Sequence, residues 1–177
     1  MHPRASRARQ RTLAGHRCGQ SRRTRAPLVG LIADLGRGPA ALDTAVFIYF
    51  IEEHPRFLPV VEPVFAAVAG GRLEGVTSGI TLLETLVLPH RSGDAALAAR
   101  YEALLTESRG IRFVDLDRSL LRGAAQLRAV FRVRTPDALQ LAAALTTRCT
   151  AYLTNDRDLP RIPGLKILQL SDYATSS

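Results

Sequence analysis

The chain is 177 residues long, 46% hydrophobic and 23% charged, with a net charge of +8 and two cysteines. This allows one soluble domain with its own core and excludes a membrane-spanning helix, since no apolar run approaches the roughly 18 residues a span needs. Cys18 and Cys149 make neither a disulfide framework nor a metal spacing, which points to a reducing, cytoplasmic setting. Residues 1–40 hold nine arginines and one acid, Asp34, and so carry the whole net charge; the 15 basic and 15 acidic residues of 41–177 cancel. Residues 1–39 therefore read as a basic, disordered leader with no clear amphipathic period. Three origins fit it: a nonspecific arm for nucleic acid, an Arg-rich transit peptide, or a chain whose translation begins later, near Val29.

From Ala40 the pattern changes to short apolar runs alternating with helical periods. AALD reads as a short strand, and TAVFIYFIEE as a helix that stops before His54 and Pro55. Phe57 to Ala69 is a second helix closed by Gly70 and Gly71. Leu73 to Thr77 reads as a strand, and Ser78 caps a helix running to Leu88, where Pro89 should end it. Asp94 to Ser108 has Leu97, Tyr101, Leu104 and Leu105 on one face, as an amphipathic helix should. Ile111 to Val114 is a strand and Arg118 to Phe131 a helix. Thr135 then caps a helix with Pro136 at its first position. Ala151 to Thr154 and Lys166 to Leu170 are the last strands.

About five strands separated by helices predict a three-layer α/β/α sandwich on a parallel sheet, with a site beyond the carboxyl ends of the strands. Four acids sit near such ends or at helix starts: Asp43, Glu84, Asp137 and Asp156, with Asp158 beside the last. Each has a plain structural role open to it. Asp43 can cap the next helix, and Asp137 can answer the dipole of its own helix. Glu84 can face water, and Asp156 and Asp158 suit a turn. Together they matter more, because converging carboxylates repel one another unless a cation or proton offsets them. Oxygen-only ligands of this kind suit Mg²⁺ or Mn²⁺ better than zinc. The histidines (His2, His16, His54 and His90) are scattered and form no ligand pattern.

The segments LDTAVFIY, TLLETL, RTPDALQLAAAL and LTNDRDL, taken in order, resemble the PIN-domain ribonucleases, in particular the VapC-type toxins of bacterial toxin–antitoxin pairs. The likeness runs from about Ala40 to the end and leaves the leader unmatched. It implies a Mg²⁺- or Mn²⁺-dependent endoribonuclease with Asp43, Glu84, Asp137 and Asp156 as the catalytic, metal-binding acids. Asp158 is a second candidate for the fourth acid. Thr154 and Asn155 would orient the last acid or a metal-bound water.

The chemistry is consistent with that expectation. A carboxylate-held divalent ion activates water and offsets charge on the phosphate, and one acid can take the proton. No Ser, Cys or His arrangement supports a covalent intermediate, so in-line attack by water would leave a 5′-phosphate and a 3′-hydroxyl. The resemblance also supplies partners: an RNA substrate, a small VapB-like antitoxin that binds DNA, and a second copy in a homodimer. An antitoxin arginine or lysine placed among the carboxylates would displace the ion. Phe47, Ile48, Phe50 and Ile51 are too many for one sheet face, which predicts an apolar docking surface around residues 44–69. Two alternatives are open: a catalytically silent PIN-like binding module, and a phosphatase with an Asp nucleophile. The second would want DxD at the first strand, where the chain has LDTAV.

Overall fold

The computed structural model of the protein describes residues 27–174, so the leader up to residue 26 lies outside the described residues. Strands β1 (Ala40–Leu42), β2 (Gly75–Ser78), β3 (Ile111–Val114), β4 (Ala151–Thr154) and β5 (Lys166–Gln169) form one parallel sheet. Their order is β3-β2-β1-β4-β5. The chain thus runs outward from β1 to β3, then returns to the other side of β1 for β4 and β5. The gap between β1 and β4 is a topological switch point, where open α/β sheets leave a crevice beyond the strand ends.

Among the described residues, α1 (Pro27–Leu35) precedes the sheet and six helices connect the strands: α2 (Thr44–Ile51), α3 (Leu58–Ala69), α4 (Gly79–Ser92), α5 (Ala95–Thr106), α6 (Arg118–Phe131) and α7 (Thr135–Thr146). The period-two alternation of the strands sorts their side chains into two cores. Ala40, Leu42, Ala151, Leu153 and Leu168 face one cluster, packed under Phe47 of α2, Val61 and Val64 of α3 and Leu105 of α5. Ala41, Val76 and Tyr152 face the other, under Leu141 and Ala144 of α7. Burial of each large aliphatic side chain contributes about 1.5–3 kcal/mol, so both faces are needed to hold strands this short. The three-layer α/β/α sandwich expected from the sequence is the fold observed.

Several local expectations are corrected. The segment 27–35, read as part of a disordered leader, is helix α1, and Leu31 and Leu35 are buried in the first core cluster. Asp34 fastens that helix to the other end of the chain, accepting from Lys166 Nζ at 3.1 Å and from the Tyr173 hydroxyl at 2.8 Å. β2 starts later than Leu73, because Arg72 and Leu73 N–H groups turn back to the Ala67 carbonyl and belong to the exit of α3. α4 does not stop at Pro89. It continues to Ser92, where left-handed Gly93 (φ 72°) closes it and the Asp94 N–H reaches the Pro89 carbonyl at 2.9 Å.

The cap of α7 is Arg134, with Thr135 already helical and Pro136 in the first turn. The apolar residues of 44–69 are also better covered than expected. Phe47 and Ile51 are buried, Phe50 stacks on Phe65, and α1 packs on α3. Large exposed apolar side chains lie instead on α4, where Leu83, Val87 and Leu88 are 60, 48 and 56% exposed, and on α6, at Leu121 and Val130. No helix among the described residues is long and apolar enough to cross a membrane.

Candidate active site

The sheet register brings the first and last acids together. Leu42 lies opposite Leu153, so the chain leaves β1 at Asp43 beside the point where it leaves β4 at Thr154. The Asp43 N–H still bonds the Leu153 carbonyl at 3.0 Å, and the Asp43 side chain then caps α2 by accepting from the Thr44 N–H at 2.8 Å. Its other oxygen accepts from the Thr154 hydroxyl at 2.5 Å. Thr154 Oγ1 also receives the Asp156 N–H at 3.0 Å, so one hydroxyl ties the two strand exits together.

Glu84 comes from α4, whose start follows β2. It accepts from Thr44 Oγ1 at 2.5 Å, which joins it to the residue after Asp43. Asp137 sits in the first turn of α7, held half-buried at the edge of the sheet. Asp156 folds its turn through an Asx bond, Oδ1 accepting the Asp158 N–H at 2.8 Å, and its carbonyl accepts from Gln169 Nε2 at 2.7 Å. Asp158 is the more exposed of the two. Asn155 turns away from the acids. Its side chain donates to the Tyr49 hydroxyl at 3.3 Å and accepts the Ser171 N–H at 3.2 Å, so it braces the turn from outside.

Electrostatics make one group of the four. Burial pushes the Asp43 carboxyl up; bonds from Thr154 and Thr44 oppose this, and the charges of Glu84 and Asp137 add to it. Burial also raises Asp137, with the Asp156 charge next and Arg134 acting against them. Beneath them the buried Tyr152 phenol is raised by its burial and then by Asp43, Asp137, Glu84 and Asp156 alike. Among the described residues no three acidic side chains converge into a ready-made metal cage. The donor chemistry nonetheless fits a hard divalent ion: the candidate groups are all oxygen donors and mutually repelling. Asp43 keeps an unused lone pair on each oxygen after its two bonds.

A family model for the PIN domain matches residues 40–165. The chain belongs to that family. Its fold is similar to a chain of the VapBC2 complex from Rickettsia felis bound to a promoter DNA fragment, at 18% identity and TM-score 0.57 over 73% of this chain and 97% of that one. A toxin–antitoxin complex from Klebsiella pneumoniae gives 20% identity and TM-score 0.55, covering 71% and 94%. DNA-bound VapBC from Salmonella typhimurium gives 23% and 0.52, covering 75% and 98%. No curated protein matches the chain by sequence.

Under the acids of this PIN domain lies a polar floor that the sequence reading missed. Gln140, one turn after Asp137, is buried among α2, α4 and α7. Its Nε2 donates to Thr81 Oγ1 and, at 3.3 Å, to Thr44 Oγ1, while its Oε1 accepts from Ser78 Oγ at 3.2 Å. One signal was available. Gln140 is the lone strongly polar residue in the run ALQLAAAL, where burial without a partner is costly.

The raised carboxyls set a pH dependence. Asp43 and Asp137 hold their protons more tightly when folded than at the unfolded value of 3.8. Their stabilising contribution is therefore fully present below about pH 3.8 and lost as pH rises through the folded values. Calorimetry in chelator is expected to show Asp43→Asn gaining stability over the parent at neutral pH, with the gap closing on acidification. A gap independent of pH would contradict this.

Proposed function

We propose that this PIN domain is a divalent-cation-dependent endoribonuclease, the toxin of a cytoplasmic toxin–antitoxin pair. The observation carrying this reading is at the switch point of the sheet, where Thr154 bonds both the Asp43 carboxylate and the Asp156 N–H, Thr44 bonds Glu84, and Asp137 and Asp156 line one cavity. These four would hold Mg²⁺ or Mn²⁺, with Asp158 at the rim. Such an ion, when bound, lowers the pKa of water and offsets charge on the phosphate.

The chain's own groups do the rest. Thr154 fixes the Asp43 carboxylate and Thr44 that of Glu84. Asp137, whose affinity for a proton is raised, is suited to accept one from the attacking water. The likeness to chains of toxin–antitoxin complexes supports a VapB-like partner, whose cationic side chain would compete for the carboxylates. The exposed apolar residues of α4 support a protein contact beside Glu84, with the antitoxin or a second copy.

The test is cleavage of total RNA by the purified full chain with Mg²⁺ or Mn²⁺, beside Asp137→Asn and a chelator control. Cleavage that needs the cation and fails in the variant is the expected result. Equal cleavage by both proteins, or none by folded, antitoxin-free parent with either metal, would overturn the reading.

A further inference from the structure

Beside the acids, between the end of α6 and the turn after β4, lies a cavity of about 320 Å³ whose lining includes Phe131, Arg132, Arg134, Asp137, Asp156 and Asp158. That is within the roughly 300–1,000 Å³ range of small-ligand sites. We propose that Arg132 and Arg134 form a phosphate clamp, gripping the RNA backbone next to the bond being cut. The clamp rests on the ribonuclease reading above and names the residues that bring a polyanion to an acidic centre.

The short link between α6 and α7 places both cations. Arg132 is the C-cap of α6 and adopts a left-handed backbone at φ 56°; Arg134 is the N-cap of α7, three residues before Asp137. Glycine or asparagine is the usual residue at such a left-handed helix end, and an ordinary side chain there costs on the order of 1 kcal/mol. The turn it makes reverses the chain within three residues and sets two guanidinium groups on one side of the acid cluster.

Those groups are not used up inside the fold. The ion pairs among the described residues are Arg112–Glu74, Arg157–Asp172 and Lys166–Asp34, all elsewhere. Neither the Arg132 nor the Arg134 guanidinium makes a hydrogen bond among the described residues, although three carboxylates share the cavity with them. Arg134 offsets part of the Asp137 charge through space, yet neither arginine closes an ion pair with an acid of the cavity, so both guanidinium groups keep their donors free. A guanidinium fork left in water beside a nuclease centre matches phosphate oxygens, two at a time. The acids would repel a phosphodiester, and two cations at the rim supply the attraction that lets one approach.

The test is the salt dependence of binding to a labelled single-stranded oligoribonucleotide. It uses the full chain in an Asp43→Asn background with chelator, so that the probe stays intact. Each phosphate contact contributes about 0.7 to the slope of log affinity against log salt for single strands. The double variant Arg132→Ala/Arg134→Ala is expected to lower the slope by about 1.4, on the same relation. The paired lysine replacements should keep the slope while losing affinity. Arg109→Ala, before β3 and so at the opposite end of the parallel sheet, should leave the slope unchanged. An unchanged slope in the folded double variant overturns the clamp while RNA binding stands; a parent that binds no RNA overturns the clamp and the ribonuclease reading together.

Discussion

Replacing Asp43 by asparagine is expected to reduce RNA cleavage by about 10³-fold, the scale of losing a positioned catalytic carboxylate, without loosening the fold. The two effects separate because Asp43 has two jobs that asparagine divides. As N-cap of α2 it accepts the Thr44 N–H, and asparagine caps as well as aspartate. The amide can also keep Thr154, whose hydroxyl has lone pairs for both the new N–H and that of Asp156. What asparagine cannot supply is the negative charge, which is the part the fold tolerates least. Burial and the charges of Glu84 and Asp137 all work against it.

Asp94→Asn makes the matching control, since Asp94 caps α5 through the Leu97 N–H and is not among the acids at the strand ends. It should leave cleavage unchanged. Cleavage assays beside thermal melts decide the matter. Retained activity in Asp43→Asn would remove Asp43 from the site, and loss of fold together with activity would show that the fold itself needs the charge.

The features legible in the sequence were those written in local chemistry. Strand exits carry acids because a turn follows, so Asp43 and Asp156 could be placed without knowing which strands are neighbours. Strand order was not legible, and it is what lays β4 against β1 on the side away from β2, so that Thr154 comes to Asp43. Glu84 could be read equally as a site acid or as a solvent-facing helical residue, and only the packing of α4 against α2 brings it to Thr44. Helix α1 was hidden because PLVGLIADL follows an Arg-rich stretch, and its apolar face gains meaning only where Leu31 and Leu35 meet the sheet. Pro89 misled for a related reason. Its missing N–H ends an isolated helix, but here Gly93 provides a left-handed stop one turn later. Arg134 displaced Thr135 as cap, with no side-chain bond from either to mark the boundary.

The polar floor was the least legible part, since Thr44, Ser78, Thr81 and Gln140 come from α2, the end of β2, α4 and α7, up to 96 positions apart. Its importance can be tested at Gln140, which is 4% exposed and joins Ser78 and Thr81, each fully buried. Gln140→Leu keeps the volume but strands the Ser78 hydroxyl and removes the amide donors from Thr81 and Thr44. Each buried group left unpaired costs about 1–3 kcal/mol, so a loss on the order of 3 kcal/mol is expected in denaturant unfolding. Glu84 would lose its support with it, because the Thr44 hydroxyl that holds it is itself held by Gln140.

Gln140→Glu separates shape from hydrogen bonding. Its carboxylate cannot donate to Thr81 or Thr44 and adds a charge beneath Glu84, so at neutral pH it should destabilise at least as much as leucine. On acidification the new carboxyl gains a proton and becomes a donor again, and burial raises the pH at which this happens. Stability should therefore recover in Gln140→Glu as pH falls, and not in Gln140→Leu. Parallel pH profiles for the two variants would show that the floor contributes packing alone, and that the positions of Thr44 and Glu84 are set by the helices themselves.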